Sequence, residues 1–199
     1  MPKVGMQPIR RRQLIDATIA SISQHGLGDT TVQTISRNAG VSTGIIHHYF
    51  GGKDELLAAT MRAMLESLRR DLVSRLDGIE DPHERLLAII ASNFAADQFD
   101  RPVITTWLAF WAEARHKPVL GRLQRIYARR LRSHIRRELR HLLPEADLTM
   151  ATESLAAMID GIWLTQALSG TADDRAARVL ALRHLKSLLP QETRRHEAA

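Results

Sequence analysis

The chain has 199 residues, 44% of them apolar, no cysteine, and 28 lysines and arginines against 22 acids, for a net charge of +6. Such a chain buries a real core and is not a disordered tail, while the missing cysteine excludes disulfides and thiolate metal sites and fits a reducing cytoplasm. No uncharged apolar run approaches the ~20 residues of a bilayer span, and the basic start MPKVGMQPIRRRQ lacks an apolar signal core, so a cytoplasmic protein without a membrane partner is expected.

Leu14, Ile15, Thr18, Ile19 and Ile22 have helical spacing and predict a first helix ending near Gly26. Thr30 and Gln33 have the spacing of a capping box that would open a second, short helix. Gly40 follows Ala39 where a left-handed residue is needed, and Ser42 is placed to cap a third helix. Two short helices joined by a glycine turn make a helix-turn-helix, whose second helix enters a DNA major groove. A glycine hinge then leads into a long helix from about Lys53 to Leu76, with Leu57, Met61, Met64, Leu65, Leu68 and Leu72 on its apolar stripe.

Asp81-Pro82-His83-Glu84 is a helix start: a capping acid, proline at the first position and a carboxylate in the first turn. Pro102 and Pro118 mark two further starts, the second helix running to about Leu143 before Pro144. The next covers about Leu148 to Leu168 and stops at Gly170, and Thr171-Ala172-Asp173-Asp174 begins the last, which reaches about Leu189. No strand pattern and no internal repeat is present. The expected fold is all-α, about nine helices, with a three-helix DNA-binding head over residues 1–52 and a six-helix ligand-binding and dimerisation body over 53–199.

Within the head, Ile46 and Phe50 should face the core with Ile35 and Ala39. That leaves Ser42, Thr43, Gly44, His47 and His48 for the groove, with Thr31 at the opening of the preceding helix. Gly44 allows close backbone approach, and Thr43 offers a hydroxyl or methyl to a base edge. Tyr49 and Lys53 are candidate phosphate contacts that fix register. Arg10, Arg11 and Arg12 oppose the dipole of the first helix, a cost that phosphates alongside would offset. The adjacent histidines point about 100° apart on a helix, so no metal is expected.

A recognition helix reads only a few base pairs, so two copies are needed on a pseudopalindromic double-stranded operator. Leu155, Met158, Ile159 and Ile162, with Val179, Leu182, Leu185 and Leu189, form apolar faces on the last two helices and are the expected homodimer interface. Residues 115–142 hold ten basic side chains and one acid. A second polyanion or lipid surface is one reading of them; a solvated face ion-paired to neighbouring helices is the favoured one. No cysteine, glycine-rich phosphate loop or helical pair of metal-ligating histidines is present, so neither an enzyme nor a cofactor is expected.

The order AGVSTG, HHYF, KDELL resembles the DNA-binding head of the TetR family of bacterial repressors. MPKVGMQPIRRRQLIDAT, WLAFWAEARHKP and MIDGIWLTQALSG further resemble the choline-responsive members of that family, which repress betaine-synthesis genes. The resemblance implies a choline effector that weakens operator binding, with another cationic or lipophilic ligand as the alternative. A quaternary ammonium is held by aromatic faces with a carboxylate nearby. Trp107, Phe110 and Trp111 on one helix, and Asp160 and Trp163 on a later one, are the candidate ligand-binding residues. The family often has an aromatic where this chain has His47, so the base preference does not transfer.

Overall fold

The computed structural model describes residues 6–169 and 173–190. Among them are nine helices: α1 (Met6–Asp29), α2 (Val32–Ala39), α3 (Thr43–Phe50), α4 (Lys53–Leu76), α5 (Pro82–Asn93), α6 (Arg101–Glu113), α7 (Pro118–Leu139), α8 (Glu145–Ser169) and α9 (Asp174–Leu188). The expected breaks at Gly170 and Thr171-Ala172 lie outside the described residues. α1 is interrupted at Gly26, whose φ of 74° and ψ of 168° leave the helical region, and Thr30 donates its hydroxyl to the Gly26 carbonyl.

That bond corrects the expected capping box. Thr30 is fully buried and turned back toward α1, so the box shifts by one residue. The Thr34 backbone N–H donates to Thr31 Oγ1 at 3.1 Å, and the Thr31 N–H donates to Thr34 Oγ1 at 2.8 Å. At its other end α2 closes on left-handed Gly40 (φ 64°), where the Gly40 and Val41 amides donate to the Arg37 and Ser36 carbonyls. Ser42 occupies the N-cap position of α3 with extended backbone, but its side chain makes no capping bond. Asp81 caps α5 through the Glu84 N–H at 2.8 Å, and Asp173 caps α9 through the Ala176 N–H at 2.9 Å.

The chain forms two compact units, 1–66 with 101–124, and 67–100 with 125–199. In the first, α1 packs on α2 and on α6, and α2 on α3. Its head core is Leu14, Ala17, Ile35, Ala39, Ile46 and Phe50, joined by Leu56 and Ala59 from α4. Lys117, in the turn after α6, pairs with Asp54 in the first turn of α4. In the second unit, α8 packs on α9 and α9 on α5. There Arg85 of α5 meets Glu138 of α7 at 2.9 Å and also donates to the Ile79 carbonyl. Both charges are largely out of water, so removing either would leave the other uncompensated. α7 presents Tyr127, Leu131, Ile135 and Leu139 to the interior of this unit, the spacing of one helical stripe.

Candidate DNA-binding head and ligand site

α3 divides as its period requires. Ile46 and Phe50 are in the head core, Ile45 and Tyr49 pack partly against it, and Thr43, Gly44, His47 and His48 are exposed. A Cβ placed on Gly44 would meet nothing nearer than Ser42 Oγ at 3.9 Å, so the fold itself does not demand glycine there. His47 lies with Nδ1 3.2 Å from the Gly51 carbonyl, leaving the other ring nitrogen outward. The His48 and Tyr49 rings meet edge to face at 5.1 Å. Thr31 is exposed but engaged in its cap. Lys53 is half-buried and directs Nζ toward the Leu27 carbonyl at 3.5 Å.

The arginine cluster is not the free cationic patch that its sequence suggests. Arg11 donates to the Tyr49 carbonyl at 2.6 Å and stacks 4.3 Å over the Phe50 ring. Arg10 donates to Gln13 Oε1 at 2.6 Å. Arg12 pairs with Asp16 at 2.9 Å with both side chains largely exposed, a contact that costs little to exchange for a phosphate. Two of the three are thus committed to the fold of the head.

In the second unit, Asp160 and Trp163 come together with residues that sequence reasoning missed. The Tyr127 hydroxyl lies 3.4 Å from both Asp160 Oδ1 and Asn93 Oδ1. Trp163 Nε1–H donates to the Asn93 carbonyl at 3.0 Å, and its ring lies 4.8 Å from that of Phe99, which in turn meets Phe94. Burial raises the Asp160 carboxyl above its ordinary value of 3.8, with the Arg132 charge and the Tyr127 hydrogen bond opposing. Burial and then the Asp160 charge push the Tyr127 phenol well above 10.0, so it stays a neutral donor. The result is a desolvated carboxylate in contact with one aromatic side chain, Tyr127, which Asn93 links to the Trp163 and Phe99 pair, a chemistry that suits a cation lacking N–H donors. Phe99 and Tyr127 carry no distinctive spacing; that Tyr127 is one of only two tyrosines is the faint signal that was available.

Trp107, Phe110 and Trp111 all lie on α6 in the first unit. Trp107 and Phe110 are buried there, and the Trp111 indole nitrogen is enclosed without a hydrogen-bond partner among the described residues. Asp81, His83 and Glu84 bring ligand-capable atoms within 4.8 Å of one another, but Asp81 is occupied in capping α5. On α7, Arg132 pairs with Glu153 and Arg136 with Glu145, each at 2.8 Å, while Arg122, Arg125, Arg129 and Arg130, and Arg140 just after the helix, are exposed.

Most of the expected dimer face is buried within its own protomer. Leu155, Ile159 and Leu185 have no solvent exposure, and Ile162 and Leu189 have 6% and 3%. Met158 and Leu182 are half-buried, and of the eight only Val179 is open. α8 is apolar on more than one face, so spacing alone could not say which face its own unit covers. Among the large apolar residues of α8 and α9 left to solvent are Met150 near the start of α8, 76% exposed, Leu164 and Leu168 toward its end, 43% and 69%, and Val179 and Leu180 of α9, 47% and 50%. Ala157 and Gly161 extend the α8 stripe at helical spacing and are also exposed.

Residues 14–60 match the family described as bacterial regulatory proteins, tetR family, and residues 82–190 match the BetI-type transcriptional repressor C-terminal domain. The chain belongs to the BetI-type repressors of the TetR family. It is 51% identical to the HTH-type transcriptional regulator BetI 2 of Chromohalobacter salexigens over 95% of this chain and 93% of that protein. It is 49% identical to BetI of Serratia proteamaculans over 90% and 91%. Among solved structures, a transcriptional regulator of Pseudomonas aeruginosa PAO1 superposes with a TM-score of 0.78 at 28% identity, covering 91% of this chain and 90% of that one. A regulator of Saccharomonospora viridis, solved in complex with choline, shares the fold with a TM-score of 0.76 at 21% identity, covering 90% and 96%. As a TetR-family protein this BetI-type chain is a non-enzymatic, DNA-binding transcriptional regulator with a helix-turn-helix head. No helix of its described residues is long and apolar enough to cross a membrane.

Proposed function

We propose that this chain is a cytoplasmic, homodimeric repressor of betaine-synthesis genes, and that choline binding to the second unit weakens its hold on a pseudopalindromic operator. The observation that carries the ligand reading is Asp160, a half-buried carboxylate in contact with the Tyr127 phenol, which is linked through Asn93 to Trp163 and so to the Phe99 ring. The quaternary ammonium would rest on the aromatic faces and neutralise the charge that burial makes costly. Support comes from the BetI-type match and from the choline complex of the similarly folded regulator. Trp107, Phe110 and Trp111 are further candidates, each open to its own substitution.

In this reading residues 1–52 recognise DNA, with Thr43, Gly44, His47 and His48 of α3 in the major groove. Tyr49 and Lys53 stand by as phosphate contacts, and Arg12 is the most available of the three arginines. Two heads on one turn of duplex would stand ~34–36 Å apart. The dimer forms through the exposed faces of α8 and α9 around Leu164, Leu168, Val179 and Leu180.

Operator titration with and without choline tests the proposal. A coupling of 1–3 kcal/mol corresponds to a roughly 5–150-fold loss of affinity, and unchanged affinity would reject it. Calorimetry with choline, betaine aldehyde and betaine separates the ligands. Betaine brings its own carboxylate against Asp160 and should bind more weakly than the two cations. A ligand of another cationic class binding more tightly than choline would favour the alternative effector.

A further inference from the structure

α2 and α3 have eight residues each, too short to hold their shape or their mutual angle alone. Each ends in carbonyls without helical partners, and α1 supplies donors to both ends. Gln13 Nε2 donates to the Ala39 carbonyl, the last residue of α2, at 2.6 Å. Arg10 donates to the Oε1 of the same Gln13, also at 2.6 Å, which orients the amide so that its NH2 faces α2. Arg11 donates to the Tyr49 carbonyl in the last turn of α3 at 2.6 Å, with its guanidinium 4.3 Å over the Phe50 ring.

We propose that Arg10, Arg11 and Gln13 form a clasp that sets the position of the recognition helix, and that Arg11 serves operator binding as a positioning residue instead of a phosphate contact. The arrangement also answers an electrostatic puzzle. Cations near the start of α1 oppose its dipole, but the Arg11 charge sits at the negative end of α3, where it is favourable. A planar guanidinium both stacks and donates along a fixed direction, so it resists sliding and rotation of α3 in a way that an ammonium does not. Phe50, the ring beneath it, belongs to the head core, so the clasp registers the exposed face of α3 against the packed one.

This inference rests on α3 being the groove-reading element, and the test separates the two. Full-length wild type, Arg11→Gln, Arg11→Lys, Gln13→Met and Thr43→Ala are titrated against operator and random-sequence DNA over a range of salt. A positioning role lowers operator affinity roughly tenfold in Arg11→Gln, leaves random-sequence affinity unchanged, and leaves the slope of log K against log salt as in wild type. Gln13→Met, which carries no charge change, shows the same pattern, and Arg11→Lys fails to rescue. A phosphate contact instead weakens both DNAs together and flattens the slope by about 0.9 for each contact removed. That result, full rescue by Arg11→Lys, or wild-type specificity in Arg11→Gln and Gln13→Met overturns the clasp. Thr43→Ala with unaltered operator binding would instead tell against α3 as the reading element.

Discussion

Tyr127 holds one hydroxyl proton between two acceptors, Asp160 Oδ1 and Asn93 Oδ1, each 3.4 Å away. Burial raises the Asp160 carboxyl despite the Tyr127 bond and the Arg132 charge. A ligand cation could supply what the protein withholds.

Asp160→Asn should therefore separate stability from sensing. The folded protein binds the Asp160 proton more tightly than the unfolded chain does, because burial raises the carboxyl above 3.8. Its charge is thus a destabilising feature near neutral pH. Asparagine keeps an acceptor for Tyr127 and removes that charge. The thermal midpoint should rise or hold, operator binding should persist, and choline should no longer release DNA. A variant that still responds fully to choline would remove Asp160 from the site.

The same shift fixes the sign of a pH effect. Choline favours the carboxylate and a proton favours the acid, so the two compete. Affinity should be level above the folded Asp160 value and fall as pH drops through it, approaching tenfold per pH unit. Ligand-free stability from this group moves the other way, declining as pH rises from 3.8 through the folded value. Calorimetry in buffers of different ionisation enthalpy should register proton release on binding in the acidic window, and none in Asp160→Asn.

Gly44 offers a clean test of the groove contact. An added methyl meets no protein atom closer than 3.9 Å, and alanine favours a helix over glycine by ~1 kcal/mol. Gly44→Ala should leave the thermal midpoint equal or higher while lowering operator affinity. Wild-type affinity in this variant would mean that DNA does not approach the α3 backbone there.

Two leucines of α8 should behave in opposite ways. Leu168→Glu charges a side chain that is 69% exposed, so the protomer should keep its fold while sedimentation shows loss of the dimer. Leu155→Ala empties a site with no exposure and should cost ~2–5 kcal/mol. If Leu168→Glu stays dimeric, the interface lies elsewhere.

The helices were legible because their boundaries are written in local chemistry: Asp81-Pro82 before α5, Gly40 after α2, Ile46 and Phe50 four apart on α3. The exposed face of α3, with Thr43, Gly44, His47 and His48, followed from the same period. What sequence could not give was ownership of faces and of donors. Leu155 and Leu164 are alike as leucines nine residues apart on one helix, and only the packing of α8 on α9 separates core from solvent. Arg11 and Arg12 are adjacent and chemically identical, yet one reaches 38 residues ahead to Tyr49 and the other pairs with its own helix. Tyr127 and Phe99 join Asp160 and Trp163 through tertiary packing with no periodic trace.

The head core does not stop at the glycines that precede α4. Leu56 and Ala59 are built into it beside Leu14, Ile35 and Ile46, and Lys117 grips Asp54 one turn earlier. Gly51 and Gly52 therefore serve as a corner in a solid piece and provide no slack between reader and stem. A tilt of residues 53–59 would thus carry the packed face of α3 with it.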